Sequence, residues 1–149
     1  MHHVELDQSG RTEKLNQPSA LAFANGIQGS ILIPAKEKRL IYATLKARRD
    51  QFTNRDLRVF AAAVFLLIKD HCHAITTLTI DREWTGHEAT IKGLVLGYVR
   101  KIVPRFPTEG IAFDSIGRRS GAHALAYRVY KQKTPPDRVV TATDILPLL

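Results

Sequence analysis

Two periods divide the chain. Near the N-terminus, Val4-Glu5-Leu6-Asp7 alternates apolar and acidic residues, as a strand with one buried face does. Gln8-Ser9-Gly10-Arg11 is a turn signal. A second strand falls within residues 20–24 and is ended by Asn25-Gly26. A third, residues 30–33, is stopped by Pro34. Their short connections predict an antiparallel meander. Residues 12–19 follow neither period. The spacing then turns helical. Residues 36–49 predict a helix with Leu40, Ile41 and Leu45 inward, and basic residues along it. Thr53 reads as the N-cap of a second helix, residues 54–70, with Leu57, Phe60, Ala61, Val64 and Ile68 on one face.

Residues 74–80 are apolar or Thr throughout, with no Gly or Pro. They lie between two helical patterns, where a parallel sheet needs a strand. Thr85 opens the next helix, to about residue 103, with Ile91, Leu94, Val95, Tyr98 and Ile102 on one face. Pro104 and Pro107 forbid its continuation. Residues 111–115 predict a short strand. Residues 120–132 predict a last helix with Ala122, Leu125, Ala126 and Val129 inward, ended by Pro135-Pro136. The tail, residues 139–149, is apolar enough to pack on the body or on a partner. The order is β-β-β, helices, β-α-β-α, with no repeat or linker.

Composition narrows this. The 149 residues suit one domain with one core, residues 1–149, and a hydrophobic share of 44% excludes a disordered chain. The longest strongly apolar stretch, residues 59–68, is about half of what a membrane span needs. The polar, early-acidic N-terminus does not read as a signal peptide, and Cys72 is the single cysteine, so cytoplasmic residence is expected. His71-Cys72-His73 is too compact, and too short of further cysteines, to close a structural zinc site. The net charge of +8 favours a polyanionic partner, most often nucleic acid.

The acids fall where chemistry collects in α/β sheets, at the carboxyl ends of strands. Asp7 lies in the first strand and Asp81 ends the fourth. If those strands are parallel neighbours, both carboxylates meet. His123 lies in the last helix within Ala122-His123-Ala124-Leu125-Ala126, whose small residues allow a close approach to the sheet. This arrangement resembles the ribonuclease H-like superfamily of nucleases, and most closely its Holliday-junction resolvases of the RuvC type. The resemblance covers most of the chain in element order. It implies an α/β fold with a mixed five-stranded sheet, three antiparallel strands then parallel strands, and helices on both faces. It also implies a nuclease dependent on Mg²⁺ or Mn²⁺, acting on DNA before RNA. Asp7 would bridge two ions, Asp81 would hold one, and His123 would ligate the other or orient the attacking water. In the resolvase branch the last helix often bears a second ligand three residues away. Here that position is Ser120, which Glu88 or Asp114 would have to replace. Arg118, Arg119, Arg128 and Lys131 would meet flanking phosphates. Resolvases work as dimers, and either the tail or the 54–70 helix would form the homodimer contact.

Each residue also has a structural reading. Asp7 suits a turn, and Asp81 suits a strand end paired with Arg82. Glu83 competes with Asp81 but reads better as a solvated acid. Thr85-x-x-Glu88 has the form of a capping box, which would occupy Glu88. Asp114 suits a strand end, and His123 a packed helix position. Trp84 either stacks on a base or closes the core. Two further functions compete with the nuclease: a non-catalytic nucleic-acid-binding module on the same fold, and a scaffold domain with no nucleic-acid role.

Overall fold

The structure, a computed structural model, describes residues 1–48 and 54–149. Strands β1 (His2–Ser9), β2 (Ser19–Ala24) and β3 (Gly29–Ile33) form the antiparallel meander. Helices α1 (Ala35–Ala47) and α2 (Arg55–Ile68) follow. Strand β4 (Ile75–Asp81) then pairs parallel to β1, and β5 (Ile111–Asp114) pairs parallel to β4 after helix α3 (Glu88–Val99). Helix α4 (Gly121–Tyr130) leads to strand β6 (Arg138–Val139) and helix α5 (Ala142–Ile145). The strand order is β5-β4-β1-β2-β3-β6.

The sheet therefore has six strands, not five. The sixth is two residues long, too short to show any period, and pairs parallel to β3. Asp137 fixes it there: its backbone N–H donates to the Ser30 carbonyl, and its carboxylate accepts from the Ser30 N–H, both at 3.0 Å.

Alternation along the strands sorts side chains onto two faces. Val4, Leu6, Leu21, Phe23, Ile31, Ile33, Leu78 and Ile80 enter the large core, which α1, α2, α3 and α5 cover. Each such side chain stabilises the fold by about 1.5–3 kcal/mol when fully buried. On the opposite face, Ala20 and Ala22 meet Leu125, Ala126 and Val129 of α4. Small residues on both sides bring α4 close; a methyl added to Gly121 would lie 3.3 Å from the Ala24 Cβ.

Several boundaries and faces differ from expectation. On α1, Leu40 points to solvent and Lys38 is buried in its stead. The Lys38 ammonium donates to the carbonyls of Arg11 and Lys14 and to the Ser19 hydroxyl, which is how residues 12–19 are held. Burial lowers the Lys38 pKa to about 8, against the pull of Glu13. Gly10 turns this segment at φ 76°, where a side chain would strike the Pro18 carbonyl. Asn54 occupies the α2 N-cap, and Thr53 lies outside the described residues. The Thr85–Glu88 capping box does not form: Gly86 turns the chain at φ 85°, His87 is the N-cap, and Glu88 is the first helical residue. Helix α3 ends at Val99, ahead of the prolines, and α4 ends before Gln132, which sits at φ 59°.

The tail packs on the body, with Val140, Ala142 and Ile145 in the large core. Helix α2 is buried along most of its length. Parts of both surfaces expected to form a dimer contact thus pack within one chain. Among the described residues no helix is long and apolar enough to cross a membrane.

Candidate active site

The site is built on two parallel strands. Leu6 of β1 pairs with Ile80 of β4, and the next residue on each strand is an acid. Since Leu6 and Ile80 point into the large core, Asp7 and Asp81 emerge together on the α4 face. Glu83 follows two residues on, its N–H donating to the Asp81 carbonyl at 2.9 Å, which turns its side chain back toward the pair. Carboxylate oxygens of Asp7, Asp81 and Glu83 all lie within 4.8 Å of one another.

Polar neighbours hold each acid. Asp7 is 5% exposed. One of its oxygens accepts from the Gln8 N–H at 2.8 Å, and the other lies 2.8 Å from Nδ1 of His123. The Asp81 carboxylate accepts from the Ile116 N–H at 2.9 Å, which ties the β5–α4 connection to the site. Glu83 accepts from the Gln8 side-chain amide at 2.9 Å. Burial, with Asp7 and Asp81 alongside, pushes the Glu83 carboxyl up to about 7. Three acids this close resist full ionisation unless a cation offsets them.

Helix α4 is set by its first turn. The Ser120 hydroxyl accepts from the Ala122 N–H at 3.1 Å as N-cap and donates to Glu5 at 3.0 Å. Glu5 and Asp7 share one face of β1, so Ser120 and His123 dock on successive acids of that strand. A cleft of about 510 Å³ opens beside this docking, lined by Glu5, Thr79, Arg119 and Ser120 among others.

Asp7, Asp81 and His123 are brought together. Glu88, expected as a further ligand, is not in the acidic group, because its helix starts beyond the turn at Gly86. Asp114 is exposed and its carboxylate accepts from the Ser115 N–H at 2.8 Å. Glu83, read from the sequence as solvated, is the third member instead. Its place two residues after Asp81 was the available signal, since a tight turn just past a strand end keeps such a residue beside the strand's last side chain. Trp84 closes the core rather than facing a base: it is 8% exposed, with Phe60 against it at 5.4 Å and the Arg11 guanidinium 5.1 Å from its ring centroid. Arg118 and Arg119 are exposed in the turn before α4, and Arg128 and Lys131 are exposed at its far end.

Comparison with protein-family models, curated proteins and solved structures finds no match.

Proposed function

We propose that the chain is a metal-dependent nuclease of ribonuclease H-like architecture, with Asp7, Asp81 and Glu83 as its metal-binding acids. The observation that carries this is the convergence of three carboxylates, within 4.8 Å of one another, at the adjoining ends of β1 and β4. Three antiparallel strands followed by β4 and β5, with β4 parallel beside β1, support the architecture. The +8 charge supports a nucleic-acid substrate.

The donor set fits a hard divalent cation. It is all carboxylate oxygen, and the Glu83 carboxyl, raised first by burial and then by Asp7 and Asp81, is one whose ionised form such an ion would favour. When bound, Mg²⁺ or Mn²⁺ supplies an acidified water and charge stabilisation for the phosphoryl oxygens. The protein does the rest. His123 holds one oxygen of Asp7 through Nδ1 and so positions that carboxylate toward the ion. The Gln8 side chain orients Glu83, and its backbone orients Asp7. Arg118 and Arg119 meet the flanking phosphates. Ser120 stands where the resolvase branch often has a second helix ligand, and it is committed to Glu5 and to capping α4. In this proposal Asp7, Asp81 and Glu83 would hold one ion, and junction resolution is the narrower form.

The same Ser120 also favours the second reading, a nucleic-acid-binding module that does not cut. One experiment separates them. Labelled four-way junction, duplex DNA, single strand and RNA–DNA hybrid are incubated with Mg²⁺ or Mn²⁺, using wild type, Asp7→Asn and Asp81→Asn. Metal-dependent cutting by wild type that both variants lose is the expected result. Binding without cutting, unchanged in the variants, establishes the module instead.

A further inference from the structure

Helix α4 carries two tyrosines with opposite treatment. Tyr130 is built into the fold: its hydroxyl donates to Gln17 at 3.3 Å, and its ring lies over Gly10. Tyr127 is 47% exposed, and among the described residues no hydrogen bond engages its hydroxyl. Its neighbour is a cation. The Lys131 ammonium lies 5.6 Å from the Tyr127 ring centroid and 5.8 Å from that of Tyr130.

Tyr127 is four residues beyond His123, and Lys131 four beyond Tyr127, so the three follow one side of the helix. Four residues advance about 6 Å along a helix axis, close to one nucleotide of an extended strand. The ridge thus leaves the acidic cluster at His123, reaches an exposed aromatic face one step out, and a cation one step further. From Arg118 to Lys133 the sequence holds Arg118, Arg119, Arg128, Lys131 and Lys133 and no acid, so charge along the ridge suits a phosphate backbone. An aromatic ring flanked by cations is how proteins hold unpaired bases. A base inside a continuous duplex is covered on both faces by its neighbours and offers no surface to a ring on a helix.

We propose that α4 is the binding ridge for an unpaired strand of nucleic acid, with the Tyr127 ring as the stacking platform for a base next to the phosphate at the acidic cluster. This rests on the nuclease reading for the position of that phosphate, and it narrows the substrate to one with unpaired nucleotides beside the cut: a single strand, a flap or an opened junction.

The test is binding measured by fluorescence anisotropy with a chelator present, so that no cutting contributes. The probes are labelled single-stranded DNA, single-stranded RNA and blunt duplex DNA of equal length. Tyr127→Ala is expected to weaken single-strand binding about tenfold or more, while Tyr127→Phe, which keeps the ring, stays within about twofold. Duplex binding is expected to change less than about twofold in both. The DNA and RNA probes decide which sugar the ridge accepts. The ridge is overturned if wild type binds neither single strand. It is also overturned if Tyr127→Ala binds single strands as wild type does, if it loses single strand and duplex equally, or if Tyr127→Phe loses as much as Tyr127→Ala. A protein that shows the expected pattern yet never cuts with metal removes the nuclease reading and leaves the ridge. A protein that cuts, but whose single-strand binding ignores Tyr127, does the reverse.

Discussion

The two faces of the sheet are made by alternate residues of the same strands and are held by different forces. On one face Val4, Leu6, Leu78 and Ile80 pack under four helices in a continuous apolar core. On the other, Glu5, Asp7, Thr79 and Asp81 share the surface with a single helix, whose small apolar contact sets Leu125, Ala126 and Val129 on Ala20 and Ala22. Polar bonds complete the docking of that helix: Ser120 to Glu5, His123 to Asp7, Tyr130 to Gln17. The contrast teaches that stability and candidate chemistry are separable here at single-residue resolution. A change on the first face should cost folding, and a change on the second should cost function.

Substitutions can break or sharpen that separation. The largest effect is expected from Asp7→Asn: metal-dependent cutting falls by about 10³-fold or more, as when one member of a catalytic unit is lost, while the melting temperature holds or rises. Cleavage rates and thermal melting of one preparation check both halves, and a variant that loses both together breaks the contrast. The adjacent pair Leu78 and Thr79 provides the converse. Leu78→Ala should destabilise by about 2–5 kcal/mol, because it empties a fully buried site. Thr79→Val, one residue away on the other face, should stay within about 1 kcal/mol in urea unfolding. His123→Ala is expected to lower cleavage by about 10–100-fold, as loss of a group that orients a ligand does, with little change in melting.

The smallest effect is a pH slope. The Glu83 carboxyl is raised to about 7 from an ordinary 4.5, so its contribution to stability is full below the lower value and is lost as pH rises through the higher. The metal-free protein should therefore melt several degrees lower at about pH 8 than at about pH 5. Glu83→Gln should flatten that slope, and Mn²⁺ should raise the melting temperature more at the higher pH, where the proton no longer competes with it. Lys38, with its ammonium near 8, titrates at the upper edge of this window. A slope unchanged in Glu83→Gln would place its origin elsewhere.

Much of the architecture was legible along the chain. The period of two in residues 4–7, the Thr-rich apolar run before Asp81 and the helical spacing of Ala122, Leu125, Ala126 and Val129 each report a local backbone geometry, and local geometry is written in local pattern. That β1 and β4 are parallel neighbours was a condition in the sequence, which the structure meets, and Asp7, Asp81 and His123 come together as a result. What failed had a common cause. Glu83 against Glu88 and Lys38 in place of Leu40 both turn on which side chain a distant segment covers, and the same covering decides between the two open readings of Trp84.

The sequence by itself determined the strands and helices, the alternation that puts acids and aliphatics on opposite faces, and the strong positive charge. Only the tertiary structure decided the third acid, the two-residue β6 held by Asp137, the buried lysine that secures residues 12–19, and the inward fate of the tail. The physical reason is range. Periodicity and propensity act over a few residues. Burial, the closing of hydrogen bonds by buried groups and the mutual repulsion of carboxylates depend on partners brought together from across the whole chain, as Asp7 and His123 are.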